Sequence, residues 1–335
     1  MLPPLPDILS TLRVVSLPMT HRFRGIDVRE VALFEGPAGW TEFSPFVEYD
    51  TAEASAWLTA ALDFGWQQTP AIFRSSIRVN ATMPVVDSSR VPEVLARFPG
   101  CRTVKIKVAD PGQGLTDDVA RVAAVRKYVG PEGRIRVDAN GLWTVDEAER
   151  AIHALAEFDL EYVEQPCETV EELADIRSRV AYMGVPIAAD ESVRKAEDPA
   201  RVARVGAADL LVVKAQPLGG IRRALDVIEE AGLPVVVSSA LETSVGISMG
   251  AYLGAAIDTL PYDCGLATVS LLTSDITAEP LLPHAGTIDV RRVVPDPELL
   301  DRFAAEPARE AWWRGRIVDS YRFLDDALAA QRPSE

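Results

Sequence analysis

Residues 103–215 contain five short apolar runs, each with a charged residue at or near its carboxyl end: TVKIKV (103–108), RIRVDAN (134–140), EYVEQP (161–166), PIAADES (186–192) and LLVVKA (210–215). These charged residues recur at intervals of about one strand plus one helix, and they are Lys107, Asp138, Glu164, Asp190 and Lys214. In a parallel β/α barrel the carboxyl ends of all strands meet on one face, where catalytic groups collect. The pattern therefore predicts that three carboxylates and two ammonium groups share one pocket.

The makeup of this charged group indicates a metal site. Three converging carboxylates cannot all stay ionised unless a positive charge compensates them. Ligands that are all oxygen favour a hard cation such as Mg²⁺. The structural alternatives are that each acid caps the helix that follows it, or that the acids belong to an ion network without chemistry. Three acids in succession at strand ends favour the functional interpretation.

Lysines accompany the acids. Lys105 and Lys107 point the same way because the side-chain period of a strand is two. Two lysines directed into a barrel interior are unfavourable unless they face anions, although a solvent-facing edge strand would also explain this motif taken alone. Lys214 ends an otherwise apolar strand and is expected across the barrel from Lys107. A buried ammonium needs partners or a lowered pKa, and either condition suits it to proton transfer.

Further residues near these strand ends are candidate substrate-binding or supporting groups. Asn140 shares the direction of the aspartate two residues before it, and Arg136 is expected one layer deeper in the barrel. In the DES motif Glu191 and the preceding aspartate point opposite ways, so one should bind a cation directly and the other should support it. Ser238 ends the run VVVSS (235–239) and is either a donor to a substrate carboxylate or an ordinary strand-end hydroxyl.

Strand and helix signals alternate from residue 77 onward. The predicted strands are 77–82, 103–108, 134–139, 161–164, 186–190, 210–214, 234–238 and, more weakly, 262–266. The predicted helices are 91–98, 115–129, 145–156, 170–181, 198–204, 220–231 and 244–257. Eight strands with helices between them, over roughly 210 residues, fit a closed β/α barrel better than an open doubly wound sheet.

The segments that flank the barrel follow another pattern. Residues 11–47 contain strand-like runs separated by Gly and Pro, and residues 51–64 carry a helix start, so this region is predicted to be a separate α+β unit. The tail holds a strand, GTIDVRRVV (286–294), and a helix that can pack back on the N-terminal unit. The predicted parts are a capping domain at 1–75, the barrel at 76–284 and a returning C-terminal segment at 285–335.

Composition restricts the class of protein. The 335 residues carry a formal net charge of −16 and a pI near 4.7, whereas a nucleic-acid partner would require a basic face. Three widely spaced cysteines fit neither a disulfide framework nor a zinc site. The chain start lacks a signal-peptide pattern, and the longest uncharged stretch is too short to span a membrane. We therefore predict a cytoplasmic protein with no nucleic-acid or membrane partner, either a monomer or a homo-oligomer.

The motifs KxK, DAN, EQP, DES and a later strand-end lysine, in this order, resemble the enolase superfamily, and specifically its muconate-lactonizing subgroup. The resemblance spans nearly the whole chain. It implies a modified TIM barrel of the (β/α)7β type under an α+β capping domain. It also implies that Asp138, Glu164 and Asp190 bind Mg²⁺, with Mn²⁺ as a substitute, and that Lys107 and Lys214 flank a small carboxylate substrate on opposite faces.

Within that subgroup, the segments RIRVDANGLW (134–143), SSALETSVG (238–246) and GWTEFSPF (39–46) are most similar to the o-succinylbenzoate synthase family. That resemblance implies a lyase of menaquinone biosynthesis, which converts 2-succinyl-6-hydroxy-2,4-cyclohexadiene-1-carboxylate to 2-succinylbenzoate by syn dehydration. It further implies a mobile lid loop at Met19–Gly25. Ser238 and the backbone near Gly265 are expected around the succinyl carboxylate.

Two other functions use the same parts. A racemase of N-acylamino acids, or a dipeptide epimerase, would employ Lys107 and Lys214 as opposed acid and base. Dipeptide epimerases of this fold carry an Asp-x-Asp pair after the last strand, whereas this chain has DCGLATVS (263–270), which weakens that option. A catalytically silent barrel that serves as a scaffold is the alternative from another class, and the complete set of acids and lysines argues against it.

Overall fold

The computed structural model describes residues 2–194 and 200–330. The N-terminal unit is a small α+β structure. Its elements are α1 Leu5–Ser10, β1 Arg13–Phe23, β2 Ile26–Gly36, β3 Gly39–Phe43 and α2 Thr51–Trp66. The strands form one antiparallel sheet in the order β1-β2-β3. Arg24 and Gly25 join β1 to β2, and both have positive φ, as a two-residue hairpin turn requires.

The central domain is the predicted barrel. Its strands, with one short strand before them, are β4 Ser76–Arg78, β5 Ala81–Met83, β6 Thr103–Lys107, β7 Arg134–Asp138, β8 Leu160–Glu164, β9 Ile187–Ala189, β10 Leu210–Val213 and β11 Val235–Val237. The strands from β5 to β11 form a 7-stranded parallel sheet in chain order. Isolated bridges from Cys264 to Val79 and from Gly265 to Ser238 join the two edges, so the sheet closes on itself.

The predicted strand at 77–82 is wrong as one element, because the chain changes partner within it. β4 pairs antiparallel with a later strand, β12 Thr287–Asp289, whereas β5 pairs parallel with β6. The returning tail thus pairs with β4 through β12, just before the chain enters the barrel at β5. The weak strand predicted at 262–266 contributes only the two bridges that close the ring.

Helices connect the barrel strands close to the predicted positions. They are α3 Val91–Leu95, α4 Leu115–Val129, α5 Val145–Leu155, α6 Val170–Val180, α7 Glu191–Arg194, α8 Arg201–Arg204, α9 Ile221–Ala231 and α10 Ser244–Ala256. Capping boxes set two of the starts, because Thr144 and Glu147, and likewise Thr169 and Glu172, bond each other's backbone amides. The helix predicted at 198–204 is seen as α8, and its first two residues lie outside the described part.

The tail returns to the N-terminal unit through α11 Pro297–Arg302 and α12 Pro307–Ala330. α12 packs against α2 and β1. Trp313 is fully buried, and its Nε1 donates a hydrogen bond of 3.0 Å to Glu30, whose carboxylate also pairs with Arg309. The capping domain is therefore built from both chain ends, as predicted. In the part of the chain that the structure describes, no helix is long and apolar enough to cross a bilayer.

Candidate active site

The five strand-end charges meet at the carboxyl face of the barrel. Lys107, Asp138 and Glu164 are direct neighbours in the register of β6, β7 and β8. Glu164 is level with Ala188 on β9, which brings Asp190 to the same rim, and Lys214 follows the last residue of β10. Parallel strand direction is thus sufficient to gather groups that are far apart in sequence.

Ion pairs connect these charges. The Nζ of Lys107 lies 2.5 Å from Asp138 Oδ2 and donates to Asn140 Oδ1 at 2.7 Å. The Nζ of Lys105 lies 2.8 Å from Glu164 Oε1 and 3.3 Å from Asp138 Oδ2, so it bridges two of the acids. Lys214 pairs with Asp190. Each lysine therefore faces an anion, which explains why these ammonium groups tolerate the barrel interior.

Burial and mutual charge shift the proton affinities. Burial raises the pKa of Asp138, but the ammonium groups of Lys107 and Lys105 outweigh it and hold this pKa well below its usual range. Burial and the Asp138 carboxylate raise the pKa of Glu164 to about 8. Burial lowers the pKa of Lys107, and Asp138 offsets this only in part. Burial likewise disfavours the charged Lys105, but Glu164 and Asp138 raise its pKa above the usual range.

The acids fit a hard divalent cation. Among the described residues, no three carboxylates, imidazoles or thiols stand together as a preformed metal-binding group, and the acids are instead paired with lysines. The Lys105 ammonium already places a positive charge between two of the carboxylates. Glu164 Oε2 is buried without a hydrogen-bond partner among the described residues. An oxygen-only donor set in which one buried carboxylate oxygen of Glu164 has no hydrogen-bond partner among the described residues suits a cation such as Mg²⁺.

Two of the predicted supporting residues lie beside this group. Asn140 has a positive φ, its backbone N–H donates to Asp138 Oδ1 at 3.0 Å, and its side chain donates to Glu191 Oε1 at 3.2 Å. Asn140 and Glu191 both line the pocket. Arg136 lies deeper, as predicted from its position, and bonds Glu161 and Asn80 beneath the charged layer.

Gln165 is a supporting residue that the sequence pattern did not single out. It is fully buried, and its Oε1 accepts hydrogen bonds from the backbone N–H groups of Asp190 (2.9 Å) and Ser192 (3.2 Å). Its Nε2 donates to Cys167 O at 2.8 Å and to Ser192 Oγ at 2.7 Å. Gln165 thus ties the end of β8 to the segment that carries Asp190.

A cavity opens above the charged layer. One wall comes from the N-terminal unit, and its residues are Phe23, Arg24, Phe46, Tyr49 and Trp57. The opposite wall comes from the barrel, and its residues include Ser238, Ser239, Ala240, Leu241, Gly265 and Thr268. The sequence does not reveal the aromatic wall, because its residues have the spacing of ordinary core positions. A wall of aromatic side chains facing polar and charged groups suits a small organic ligand.

Ser238 and Gly265 lie side by side in the barrel wall. A Cβ atom built on Gly265 would come within 2.5 Å of Ser238 Oγ, so a larger residue at this position would require the serine hydroxyl to shift. Ser239 Oγ donates to Gly265 O at 2.5 Å. The predicted residues Ser238 and Gly265 therefore both line the pocket, next to the hydroxyl group of Ser239.

The predicted lid loop at Met19–Gly25 is wrong as a loop, because β1 continues to Phe23 and only the turn follows it. Met19 forms a bridge with Leu272, and Thr20 Oγ1 donates to Leu271 O at 3.0 Å. The segment is the tip of an anchored hairpin. Phe23 and Arg24 at this tip line the pocket, whereas His21 contacts Arg90 instead.

Comparison with known proteins agrees with this architecture. Sequence models of two domain families match the chain: enolase N-terminal domain-like over residues 14–65 and enolase C-terminal domain-like over residues 91–296. Among solved structures, muconate lactonizing enzyme from Pseudomonas fluorescens superposes with a TM-score of 0.75 at 21% identity, over 88% of this chain and 98% of that one. The L-Ala-D/L-Glu epimerase from Bacillus subtilis superposes with a TM-score of 0.72 at 23% identity, over 84% and 95%. At these identities the likeness concerns the fold.

Curated relatives are much more similar in sequence. The o-succinylbenzoate synthase of Mycolicibacterium smegmatis is 55% identical over 323 residues, which cover 96% of this chain and 98% of that protein. The o-succinylbenzoate synthase of Mycobacterium marinum is 53% identical over 321 residues, which cover 96% of each. The chain therefore belongs to the enolase superfamily and, within it, to the o-succinylbenzoate synthase family.

Proposed function

We propose that this chain catalyses the reaction of its family in menaquinone biosynthesis, the syn dehydration of 2-succinyl-6-hydroxy-2,4-cyclohexadiene-1-carboxylate to 2-succinylbenzoate. The observation that carries the proposal is the pairing of Lys107 and Lys214 in one pocket beside three strand-end acids. β7, β8 and β9 lie between the strands that carry the two lysines. A substrate seated between them would meet one amine on each face.

The acids Asp138, Glu164 and Asp190 would hold the divalent cation, and we propose that it is Mg²⁺. When bound, the cation supplies positive charge that stabilises the charge developing on the substrate's carboxylate. Lys105, which bridges two of the acids, would offset part of their negative charge. Gln165 would hold the backbone of Asp190 at the rim.

Lys107 would move the protons. Its neutral amine takes the proton from the ring carbon that bears the carboxylate, and the electron pair of that C–H bond moves toward the carboxylate. The resulting ammonium then donates the same proton to the ring hydroxyl, which leaves as water while the third ring double bond forms. Lys107 returns to the amine, and the product ring is aromatic. Asn140, which accepts a hydrogen bond from Lys107 Nζ, would orient the amine toward the substrate.

Lys214 would have a purely electrostatic role. Its partner is Asp190, and its ammonium faces the pocket from the other side of the barrel. A fixed positive charge there stabilises the anion that forms when the proton leaves. The succinyl arm would lie toward Ser238 and Gly265, and Arg24 at the hairpin tip would add positive charge near the pocket mouth.

The direct test is to incubate the purified protein with Mg²⁺ and the cyclohexadiene substrate and to measure formation of the aromatic product. Lys107→Arg should lower kcat by about 1000-fold or more, since a guanidinium cannot be deprotonated in a protein. Lys214→Arg keeps the charge but misplaces it, so it should retain at least about tenfold more activity than Lys107→Arg.

A companion assay distinguishes dehydration from two-base racemisation. Exchange of the α-proton of N-succinyl amino acids is followed in deuterated solvent for both enantiomers. A protein that leaves the cyclohexadiene unchanged contradicts the proposal. If the two arginine variants are equally inactive in dehydration, and each loses exchange from only one enantiomer, the racemase is the better assignment.

A further inference from the structure

The loop between β11 and α10, residues 238–243, forms part of the pocket wall, and one of its residues has an unusual backbone. Leu241 has a φ of +65°, in the left-handed region that bulky side chains rarely adopt. Leu241 and Ala240 both line the pocket. A strained residue of this kind persists only when its surroundings hold it in place.

Arg29 of β2 supplies that hold from the capping domain. Its Nε donates to Leu241 O at 3.1 Å, and its Nη2 donates to Ala240 O at 3.3 Å and to Ser44 O. The guanidinium also lies 4.6 Å from the centroid of the Phe46 ring, which belongs to the aromatic wall. Arg29 is only 2% exposed and does not line the cavity.

Glu42 of β3 holds the other end of the same loop. Its Oε2 accepts hydrogen bonds from Thr243 N (3.1 Å), Thr243 Oγ1 (2.5 Å) and Gly246 N (3.1 Å), and thereby caps the start of α10. Its Oε1 accepts a hydrogen bond of 2.6 Å from Ser44 Oγ. Arg29 and Glu42 of the capping domain therefore hold the strained segment at both ends through hydrogen bonds.

We propose that Arg29, together with Glu42, is a positioning residue that shapes the substrate pocket without touching the substrate. It holds Ala240 and Leu241 in the conformation that forms the barrel wall, and the same side chain stacks on Phe46 of the aromatic wall. One buried arginine thus contacts both the barrel-wall loop and the aromatic wall. The effect of this residue on KM rests on the proposed dehydration, whereas its hold on the loop does not.

The test uses Arg29→Lys, because an ammonium cannot donate in the fork geometry that reaches these carbonyls. The variant should raise KM for the cyclohexadiene substrate by about tenfold and change kcat by less than about threefold, since the lysines and acids lie on other strands. Arg13→Lys is the matched control. Arg13 lies on the neighbouring β1 and makes an exposed ion pair with Asp301, so neither constant should change.

A second measurement is independent of catalysis. Amide hydrogen exchange of the peptide that covers 239–246 should quicken by at least about tenfold in Arg29→Lys, while exchange in α5 and α6 stays as in the wild type. Glu42→Gln keeps an acceptor for the start of α10 and should retain slow exchange. Glu42→Leu removes the acceptor and should match Arg29→Lys.

The outcomes separate the two proposals. If the wild type dehydrates the substrate, but Arg29→Lys only melts earlier, with unchanged KM and unchanged exchange in 239–246, Arg29 is merely structural and the inference is wrong. A fall in kcat with constant KM also overturns it. If the wild type is inactive, the proposed function fails, and the exchange experiment still decides whether Arg29 holds the loop.

Discussion

Glu164 is the residue at which the charge balance of the site would change when a divalent cation binds. Its Oε1 contacts Lys105, whereas its Oε2 is buried without a hydrogen-bond partner among the described residues. Burial and the Asp138 carboxylate raise the pKa of Glu164 to about 8. A divalent cation beside Glu164 would favour its ionised form.

We therefore predict that Glu164→Gln weakens binding of a divalent cation by at least about 100-fold, because one charged oxygen donor is lost. Titration with Mn²⁺, followed by electron paramagnetic resonance, measures the affinity directly. Glu161→Gln is the control on the same strand, since Glu161 contacts Arg136 below the site and an amide still accepts that hydrogen bond. Prolonged chelation should also abolish turnover. Equal Mn²⁺ affinity of wild type and Glu164→Gln, or full turnover after chelation, would contradict the metal assignment.

At the residue scale, the sequence predicts groups that a strand end determines and misses those that a tertiary contact determines. The strand-end position of Asp138 or Lys214 follows from an apolar run and the direction of a parallel strand. The role of Gln165 depends on its positive φ and on the backbone amides of Asp190 and Ser192, which follow the next strand. No local sequence pattern reveals these features. Leu241 likewise looks like an ordinary core leucine in the sequence.

The hairpin of β1 and β2 shows the same limit at the scale of an element. The polar residues around His21 predict a loop, but the backbone continues as a strand because other parts of the chain hold it. Thr273 donates to Pro18 O through its N–H at 2.9 Å and its Oγ1 at 3.0 Å, and Arg90 contacts His21 Nε2 at 2.9 Å. The sequence predicts the helices more closely, since their caps and periodicity are local signals.

The contact of His21 with Arg90 predicts a pH dependence of stability. Burial and Arg90 lower the pKa of His21 from its ordinary 6.5, whereas Glu93 opposes the shift and Arg97 adds to it. The neutral imidazole accepts the Arg90 hydrogen bond, so the stabilisation is fully present above pH 6.5 and is lost as the pH falls through the lower folded-state pKa.

His21→Gln keeps an acceptor for Arg90 and does not titrate. We expect the melting temperature of the wild type to fall by about 1–2 °C more than that of His21→Gln between pH 7 and pH 5. Differential scanning fluorimetry across this range gives the comparison. Parallel curves for the two proteins would mean that His21 does not couple the hairpin to pH.

At the scale of the whole molecule, the pocket joins the barrel to a cap made from both chain ends. The alternation of strands and helices predicts the barrel. The strand pattern followed by a helix pattern in the tail predicts that the tail packs back on the N-terminal unit. The contacts of the tail could not be predicted, because they join residues as far apart as Arg316 and Phe46, which are separated by 270 positions. The domain limits at 75 and 284 stay predictions.

Arg316 on α12 connects the tail to the pocket. Its Nη2 donates to Phe46 O at 2.9 Å and to Tyr49 O at 2.7 Å, and its Nη1 donates to Val47 O at 3.2 Å. Phe46 and Tyr49 belong to the aromatic wall of the cavity. The C-terminal helix therefore helps to hold a wall that the N-terminal unit provides.

Arg316→Met should consequently lower the free energy of unfolding by about 2–4 kcal/mol, because charge-assisted hydrogen bonds to half-buried carbonyls are lost. It should also raise KM by about tenfold, since the segment that carries Phe46 and Tyr49 loosens. Arg314→Met is the control on the same helix, and it removes only a surface ion pair with Glu310, so stability should change by less than about 0.5 kcal/mol. Urea unfolding and steady-state kinetics of the two variants provide the comparison. If both variants lose stability equally, or if Arg316→Met keeps the wild-type KM, the tail does not shape the pocket through Arg316.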